Sequence, residues 1–307
     1  MNNKVLLLIL AGLLAIYGLS KVFSGSDDSS FDPEFIKVDK DAVTKVVIRS
    51  KADNFEEAVL KKSDNGWTIT KNNKTYQASQ ESVDNLMTHL ASVKTNFIAA
   101  KSADKLPEYE LNAEQASRIT VYAGNKVLTD FYVGKFSVNQ QAQQITSYFR
   151  LADQNDVYAV QGMAGMMLGQ GIGSYRNKKI LDLDISSIQS LNYEGDAAYQ
   201  VVKSNGQWLL DNSIELDTAK VKNFLMNLKS MSGDEFVDFD DNQTSDKLLK
   251  KLTINGSNMD EPVIVRCWKS ETLEKPFVIQ SSQYPESYFS SDSTRLFTRI
   301  FKPVADW

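Results

Sequence analysis

Apolar residues form one continuous run at the N-terminus and recur in shorter periodic patterns over the rest of the chain. The run VLLLILAGLLAIYGLSKV occupies residues 5–22. Its eighteen residues would cover about 27 Å as a helix, which matches the hydrocarbon core of a bilayer. The pattern therefore predicts that residues 1–22 are an N-terminal transmembrane helix, although a cleaved signal segment fits such a run as well.

A polar and acidic segment follows this run. Residues 24–34 read SGSDDSSFDPE, a composition that is typical of a flexible tether, and we assign the tether to residues 23–39. Because a short N-terminal tail ordinarily stays in the cytoplasm, we expect the chain to cross the membrane once and its body to be exported. Its body is then expected in the periplasm or extracytoplasmic space.

Two later stretches share one pattern, in which apolar and polar residues alternate on both sides of a tight turn. Asn65-Gly66 interrupts the first alternating segment and Asn205-Gly206 the second, and a strand with a tryptophan follows each turn. Asn and Gly accept the positive φ that short hairpin turns require. Both stretches are therefore predicted to be β-hairpins.

Each predicted hairpin is followed by a helical repeat of apolar residues at positions i, i+3, i+4 and i+7, which lie on one face of a helix. These residues are Val83, Leu86, Met87 and Leu90 in the first stretch and Val221, Phe224, Leu225 and Leu228 in the second. Ser79 and Asp217 precede the two repeats, where an N-cap side chain accepts backbone N–H bonds. Each helix is therefore expected to pack against its own sheet.

Further strand pairs follow in the same order in both stretches. The corresponding segments are 118–135 with 251–269 and 145–160 with 275–291. An antiparallel sheet with a helix on one face is an α+β arrangement. We therefore predict an α+β fold of two tandem repeats, at residues 40–183 and 184–307, after the N-terminal helix.

The composition excludes several classes of function. The net charge is −5, so the protein repels phosphate backbones and nucleic acid is not an expected partner. A single cysteine excludes an internal disulfide, and a single histidine leaves little for His-based catalysis or metal binding. His89 lies off the apolar stripe and is expected to face solvent, whereas Cys267 lies in a strand and is expected to be a buried thiol.

The acidic run at residues 234–246 does not fit a calcium-binding loop. If Asp238 is the first ligand, Gln243 stands where an EF-hand needs glycine and Leu249 where it needs glutamate. The chain also lacks a G-x-S-x-G elbow and a P-loop. We therefore expect a solvated acidic loop, no cofactor, no metal and no catalytic residues.

The segment at residues 162–176, GMAGMMLGQGIGSYR, is apolar and rich in glycine. One interpretation is a short helix between the repeats. The other is an adaptable contact surface for a membrane partner, since methionine-rich surfaces repack easily. On the second interpretation, Met163, Met166 and Met167 are the candidate contact residues.

Several of these features together resemble the domain-of-unknown-function family 4340. The resemblance rests on the N-terminal anchor, Gly66-Trp67 with its counterpart Gly206-Gln207-Trp208, and residues 105–112, 127–135 and 176–188, and it covers residues 45–300. It implies an accessory role beside gliding-motility-type ABC transporter components at the inner membrane. It defines no catalytic residue.

The sequence thus favours a non-catalytic, membrane-tethered accessory or scaffold protein of an ABC-type transporter complex. Its expected partners are the inner membrane, through the N-terminal helix, and integral-membrane transporter components. Two alternatives remain open at this point. One is an extracytoplasmic ligand-binding module with a cleft between the repeats, and the other is an envelope glycan hydrolase that uses an Asp/Glu pair.

Overall fold

The computed structural model describes residues 34–239 and 248–307. The elements of the first half are β1 (Glu34–Lys37), β2 (Lys45–Arg49), β3 (Glu57–Ser63), β4 (Gly66–Lys71), β5 (Lys74–Gln77), α1 (Gln80–Ala91), β6 (Ser92–Lys94), β7 (Phe97–Ala100), β8 (Ser117–Ala123), β9 (Lys126–Asn139), β10 (Gln144–Leu151), β11 (Val157–Gln161) and α2 (Ala164–Leu168). Those of the second half are β12 (Ile188–Glu194), β13 (Tyr199–Ser204), β14 (Gln207–Leu210), β15 (Ile214–Leu216), α3 (Thr218–Leu228), β16 (Glu235–Phe236), β17 (Leu248–Gly256), β18 (Val263–Lys269), β19 (Phe277–Ser281), β20 (Tyr288–Ser291) and α4 (Leu296–Ile300).

Two large antiparallel sheets of nine strands each make up most of the described chain. Their strand orders are β5-β4-β3-β2-β8-β9-β10-β11-β7 and β15-β14-β13-β12-β17-β18-β19-β20-β16. If β2 is matched with β12 and the remaining strands follow in turn, the two orders are the same. Since a few helices accompany these sheets, the fold is α+β, as predicted.

Both predicted hairpins are present, but their turns differ. Asn205 and Gly206 are the two turn residues between β13 and β14, and both have positive φ. Between β3 and β4 the turn residues are Asp64 and Asn65, because Ser63 pairs with Gly66. Gly66 itself has a φ of 108°, a conformation that favours glycine, and it begins β4.

The two long helices begin and pack as the sequence predicts. The Ser79 side chain accepts a hydrogen bond from the Ser82 amide, and Asp217 accepts from the amides of Ala219 and Lys220. The buried residues of α1 are Val83, Leu86, Met87 and Leu90, and those of α3 are Val221, Phe224, Leu225 and Leu228. The apolar stripes therefore fix which face of each helix turns inward.

Each sheet has its own hydrophobic core. The chain passes from the first core to the second between Tyr175, which is buried in the first, and Ile180, which is buried in the second. Leu181 and Leu183 also belong to the second core. The change of core therefore lies a few residues before the predicted boundary at residue 183.

The C-terminal end of the predicted tether belongs to the folded body. β1 pairs with β6, and Ile36 and Val38 are buried in the first core. The alternation of these apolar residues accounts for the strand, so residues 34–39 are not flexible tether as predicted. The predicted anchor at residues 1–22 and the remainder of the tether lie outside the described residues. Among residues 34–239 and 248–307, no helix has the length and apolar character needed to cross a membrane.

Candidate functional site

The methionine-rich segment forms the short helix α2, which lies directly on the first sheet. A Cβ atom added at Gly165 would lie 2.1 Å from the Cβ of Ser147, so helix and sheet are in close contact. A 3₁₀ helix at Ile172–Tyr175 follows, and the Tyr175 hydroxyl donates a hydrogen bond to the Met167 carbonyl at 3.0 Å. Burial raises the pKa of Tyr175, which keeps this hydroxyl a donor.

The three candidate methionines differ in exposure. Met163, at the start of α2, is 48% exposed. Met166 and Met167 are half-buried, and the Met167 sulfur lies 3.5 Å from the Gln170 side-chain amide. Met163 is therefore the methionine of this segment that offers the most surface to a partner.

Two strands extend this surface beyond α2. Phe136 and Val138 on β9 are 53% and 55% exposed, and they pair with Ser147 and Ile145 on β10. Because α2 rests on Ser147, these side chains share the sheet face that α2 covers. Gly162 donates to the Ile145 carbonyl at 2.8 Å, which brings Met163 beside them. We call Phe136, Val138, Ile145 and Met163 the apolar strip.

The apolar strip lies in a part of the protein that carries no charge. Residues 136–149 and 157–175 contain no Asp, Glu, Lys or Arg, although 24% of the chain is charged. The pairing of β10 with β11 brings these two stretches together. Loss of charged residues marks the centre of protein–protein interfaces more clearly than apolar area does.

The described chain begins on the same sheet face. The ring of Phe35 lies 5.8 Å from that of Phe149 and 4.5 Å from that of Tyr158, between ring centroids. Phe149 and Tyr158 are directly paired on β10 and β11. Ile145 is four residues from Phe149 along β10, a distance of about 14 Å. The chain therefore reaches the body beside the apolar strip.

The predicted environments of His89 and Cys267 can be compared with the structure. His89 is half-buried and lines a cavity of about 60 Å³ together with Met167 and Tyr175. It is partly covered rather than fully exposed, because the segment after β11 folds back over α1. Cys267 is fully buried, as predicted, and burial raises its pKa to about 12.

The acidic run is only partly described, since residues 240–247 lie outside the described residues. Asp234 faces Arg295 at 3.5 Å and Glu235 pairs with Lys275 at 2.6 Å. In residues 34–239 and 248–307 no group of three or more His, Cys, Asp or Glu side chains is placed to hold a metal ion.

A cleft of about 430 Å³ opens where the two halves meet. Tyr76 and Arg176 border it from the first half, and Phe236 and Asp238 from the second. Its charged side chains are Asp53, Glu56, Lys71, Lys74, Arg176 and Asp238. The sequence did not predict that these residues share a site, because they come from segments up to 185 positions apart and share no motif.

Arg176 is held between two aromatic rings in this cleft. Its guanidinium carbon lies 3.7 Å from the centroid of Tyr76 and 3.7 Å from that of Phe236. Such contacts hold a cation by the negative faces of the rings. The Nε atom is buried without a hydrogen-bond partner, and burial lowers the pKa of Arg176.

A lysine on the cleft wall is already paired with two carboxylates. Lys71 Nζ lies 2.9 Å from Asp53 and 3.2 Å from Glu56. Asp53 also accepts a hydrogen bond from the Ile172 amide at 2.6 Å. Lys74 and Asp238, both exposed, approach no closer than 3.9 Å. The cleft thus has a paired, net acidic wall and a wall where Arg176 has no paired carboxylate among the described residues.

Comparison with known proteins places the chain in a family. The family described as Domain of unknown function (DUF4340) matches residues 67–251, which is more than half of the 307 residues. The matched range runs from β4 into β17 and so includes parts of both halves. No curated protein and no solved structure matches the chain. The chain belongs to the DUF4340 family.

Proposed function

We propose that the protein is a non-catalytic accessory or scaffold protein of an inner-membrane complex, with an ABC-type transporter as its partner. Residues 1–22 anchor it in the bacterial inner membrane, and the body lies on the extracytoplasmic side. The body is a tandem duplication, an interpretation supported by the equal strand order of the two sheets. It binds a membrane-embedded partner through the apolar strip.

The observation that carries this proposal is the uncharged, exposed strip beside the point where the chain reaches the body. Residues 23–33 span at most about 40 Å when fully extended, which limits how far the body moves from a bilayer. An exposed apolar surface held near a membrane suits a partner that is itself embedded there. Met163 adds a side chain that adapts to the shape of such a partner.

The test is affinity purification of the full-length protein from detergent-solubilised membranes, with quantitative mass spectrometry of what is recovered. The triple variant Phe136→Ser, Val138→Ser, Met163→Ser is expected to recover about tenfold less of the transporter components than the wild type, because hot-spot contacts are lost. These residues are exposed, so folding is expected to be unchanged.

A matched control is available on the second half. Ile214 and Met226 are 59% and 56% exposed, and the variant Ile214→Ser, Met226→Ser removes two apolar side chains that are as exposed as those of the strip. It is expected to recover as much partner as the wild type. Equal recovery with the strip variant, or no transporter component with the wild type, would contradict the proposal.

A further inference from the structure

The cleft between the two halves holds a half-buried cation, Arg176, on which the carboxylates of Asp238 and Glu286 act from a distance without forming an ion pair. The only hydrogen bond that Arg176 donates in the described chain comes from its backbone amide, to Gly173. Among residues 34–239 and 248–307, no carboxylate lies within 4.0 Å of its guanidinium. Partial burial disfavours this charge, which lowers the pKa of Arg176, and a bound anion would offset that cost.

The close rings of Tyr76 and Phe236 restrict the movement of the guanidinium. A planar guanidinium presents a fork of N–H donors that matches the two oxygens of a carboxylate. Because both rings are already in place, the fork needs little reordering when a ligand arrives. The cleft volume of about 430 Å³ lies within the range of small-molecule sites.

The acidic wall of the cleft restricts the other end of the ligand. Asp53 and Glu56 share the single cation Lys71, so this wall keeps one net negative charge. A second carboxylate on the ligand would be repelled there, whereas an ammonium or hydroxyl group would find acceptors. Charge and geometry therefore favour a ligand with an anionic end and a hydrogen-bond donor end.

We propose that the cleft binds a small monocarboxylate that carries an ammonium or hydroxyl group, as an amino acid or hydroxy acid does. Its carboxylate accepts hydrogen bonds from Arg176, and Lys74 adds positive charge at the rim. Its donor end faces Asp53 and Glu56. This is a binding site that the docking function does not require, and none of the apolar strip residues lines it.

Three probes of equal chain length test the polarity of the site: 6-aminohexanoate, hexanoate and adipate, with inorganic phosphate as a tetrahedral anion. Saturation-transfer NMR titrations on the full-length protein in detergent, at constant ionic strength, give an affinity for each organic probe. Phosphate binding is measured from its ³¹P line width. We expect saturable binding in the order 6-aminohexanoate, hexanoate, adipate, with phosphate weaker than the first.

Substitutions then assign the binding to Arg176. Arg176→Lys keeps the charge but loses the fork, and we expect 6-aminohexanoate to bind about tenfold more weakly. Lys74→Met is expected to weaken it about threefold through the lost rim charge. Arg49→Lys is the control, because it makes the same substitution at an exposed arginine that pairs with Glu57. It is expected to leave the affinity unchanged.

The inference is overturned if the wild type binds none of the organic probes saturably, if adipate or phosphate binds more tightly than 6-aminohexanoate, or if Arg176→Lys binds as well as the wild type. Because Arg176→Lys retains the cation between the rings, its melting temperature serves as the check on folding, and Lys74→Met provides a second variant at an exposed position. The strip variant is expected to bind the probe normally, which separates this site from the docking surface.

Discussion

The thiol of Cys267 lies inside the second core, on the inner strand β18, and no part of it reaches solvent. Burial disfavours the thiolate, so the pKa of Cys267 rises to about 12. At pH 8 about one thiol in ten thousand is then ionised. Since the thiolate is the nucleophile, this residue has a packing role.

We predict that Cys267 reacts with a thiol-specific reagent at least about a hundredfold more slowly in the native protein than in urea. The measurement is the rate of absorbance change with a chromogenic disulfide at pH 8. Rapid stoichiometric labelling of the native protein would show that the thiol is accessible.

The same pKa shift predicts a pH dependence of stability. Between about pH 9 and 12 the folded protein keeps the thiol proton while the unfolded chain, with an ordinary cysteine pKa, loses it. The stabilisation that the protonated Cys267 thiol gives the folded protein therefore has its full value below about pH 8.5. It decreases as the pH rises through this range. The measurement is the free energy of unfolding of the wild type and of Cys267→Ala at several pH values in this range. The difference between their pH dependences is the contribution of the thiol.

At the scale of elements, the bulge between β9 and β10 decides where the apolar strip lies. β9 has one more residue than β10 between the pairs Val133–Phe149 and Phe136–Ser147. A Cβ at Gly134, within the bulge, would lie 2.2 Å from the Tyr109 carbonyl oxygen. The extra residue places Phe136 on the sheet face that carries Val133, where strict alternation would put Lys135.

The contact between α2 and this sheet depends on a glycine. We predict that Gly165→Ala lowers the free energy of unfolding by about 1–3 kcal/mol, because the new methyl group would overlap Ser147. Urea denaturation measures the change. Gly173→Ala is the control, since no atom lies within 4 Å of a Cβ added there.

An equal stability change in both glycine variants would mean that the helix–sheet contact adjusts freely. If Gly165→Ala is destabilised as expected, α2 is held rigidly. The position of Met163 at its start is then fixed by packing against Ser147.

At the scale of the whole molecule, Arg176 and its two rings join the halves. Tyr76 belongs to the first sheet and Phe236 to the second, and the Gln77 amide also donates to Glu286 across the junction at 3.3 Å. The contact of Arg176 with Phe236 is thus formed only when both halves are folded and adjacent.

We predict that Phe236→Leu lowers the free energy of unfolding by about 1 kcal/mol in the wild type, through loss of the cation–ring contact. In an Arg176→Met background the loss is expected to be clearly smaller, because the cation is already absent. Denaturant unfolding of the four proteins gives this coupling. Phe277→Leu is the control, because Phe277 stacks on Phe297 within the second half. It should lower the free energy of unfolding by the same amount in both backgrounds. Equal effects of Phe236→Leu in both backgrounds would show that Arg176 does not couple the halves through this ring.

Local patterns were sufficient for much of the fold. The capping by Ser79 and Asp217, the buried stripes of α1 and α3, and the burial of Cys267 followed from residues a few positions apart. The predicted hairpins formed as well, although in the first one the turn lies one residue earlier than the Asn-Gly pair. Neighbouring residues decide such features because hairpin and helix-cap hydrogen bonds close over short segments.

The sequence by itself thus determined the α+β class, the hairpin–helix units and the candidate Met163, because each depends on periodicity or composition. Only the tertiary structure decided that two uncharged segments meet at the apolar strip, that His89 lies beneath the segment after β11, and that Arg176 lies between Tyr76 and Phe236. The contacts of His89 and Arg176 join residues about 60 to 100 positions apart in the chain, and the pairing of the uncharged segments joins residues 9 to 15 positions apart. Sheet pairing and core packing bring such residues together, and no local period encodes which distant partner a residue meets.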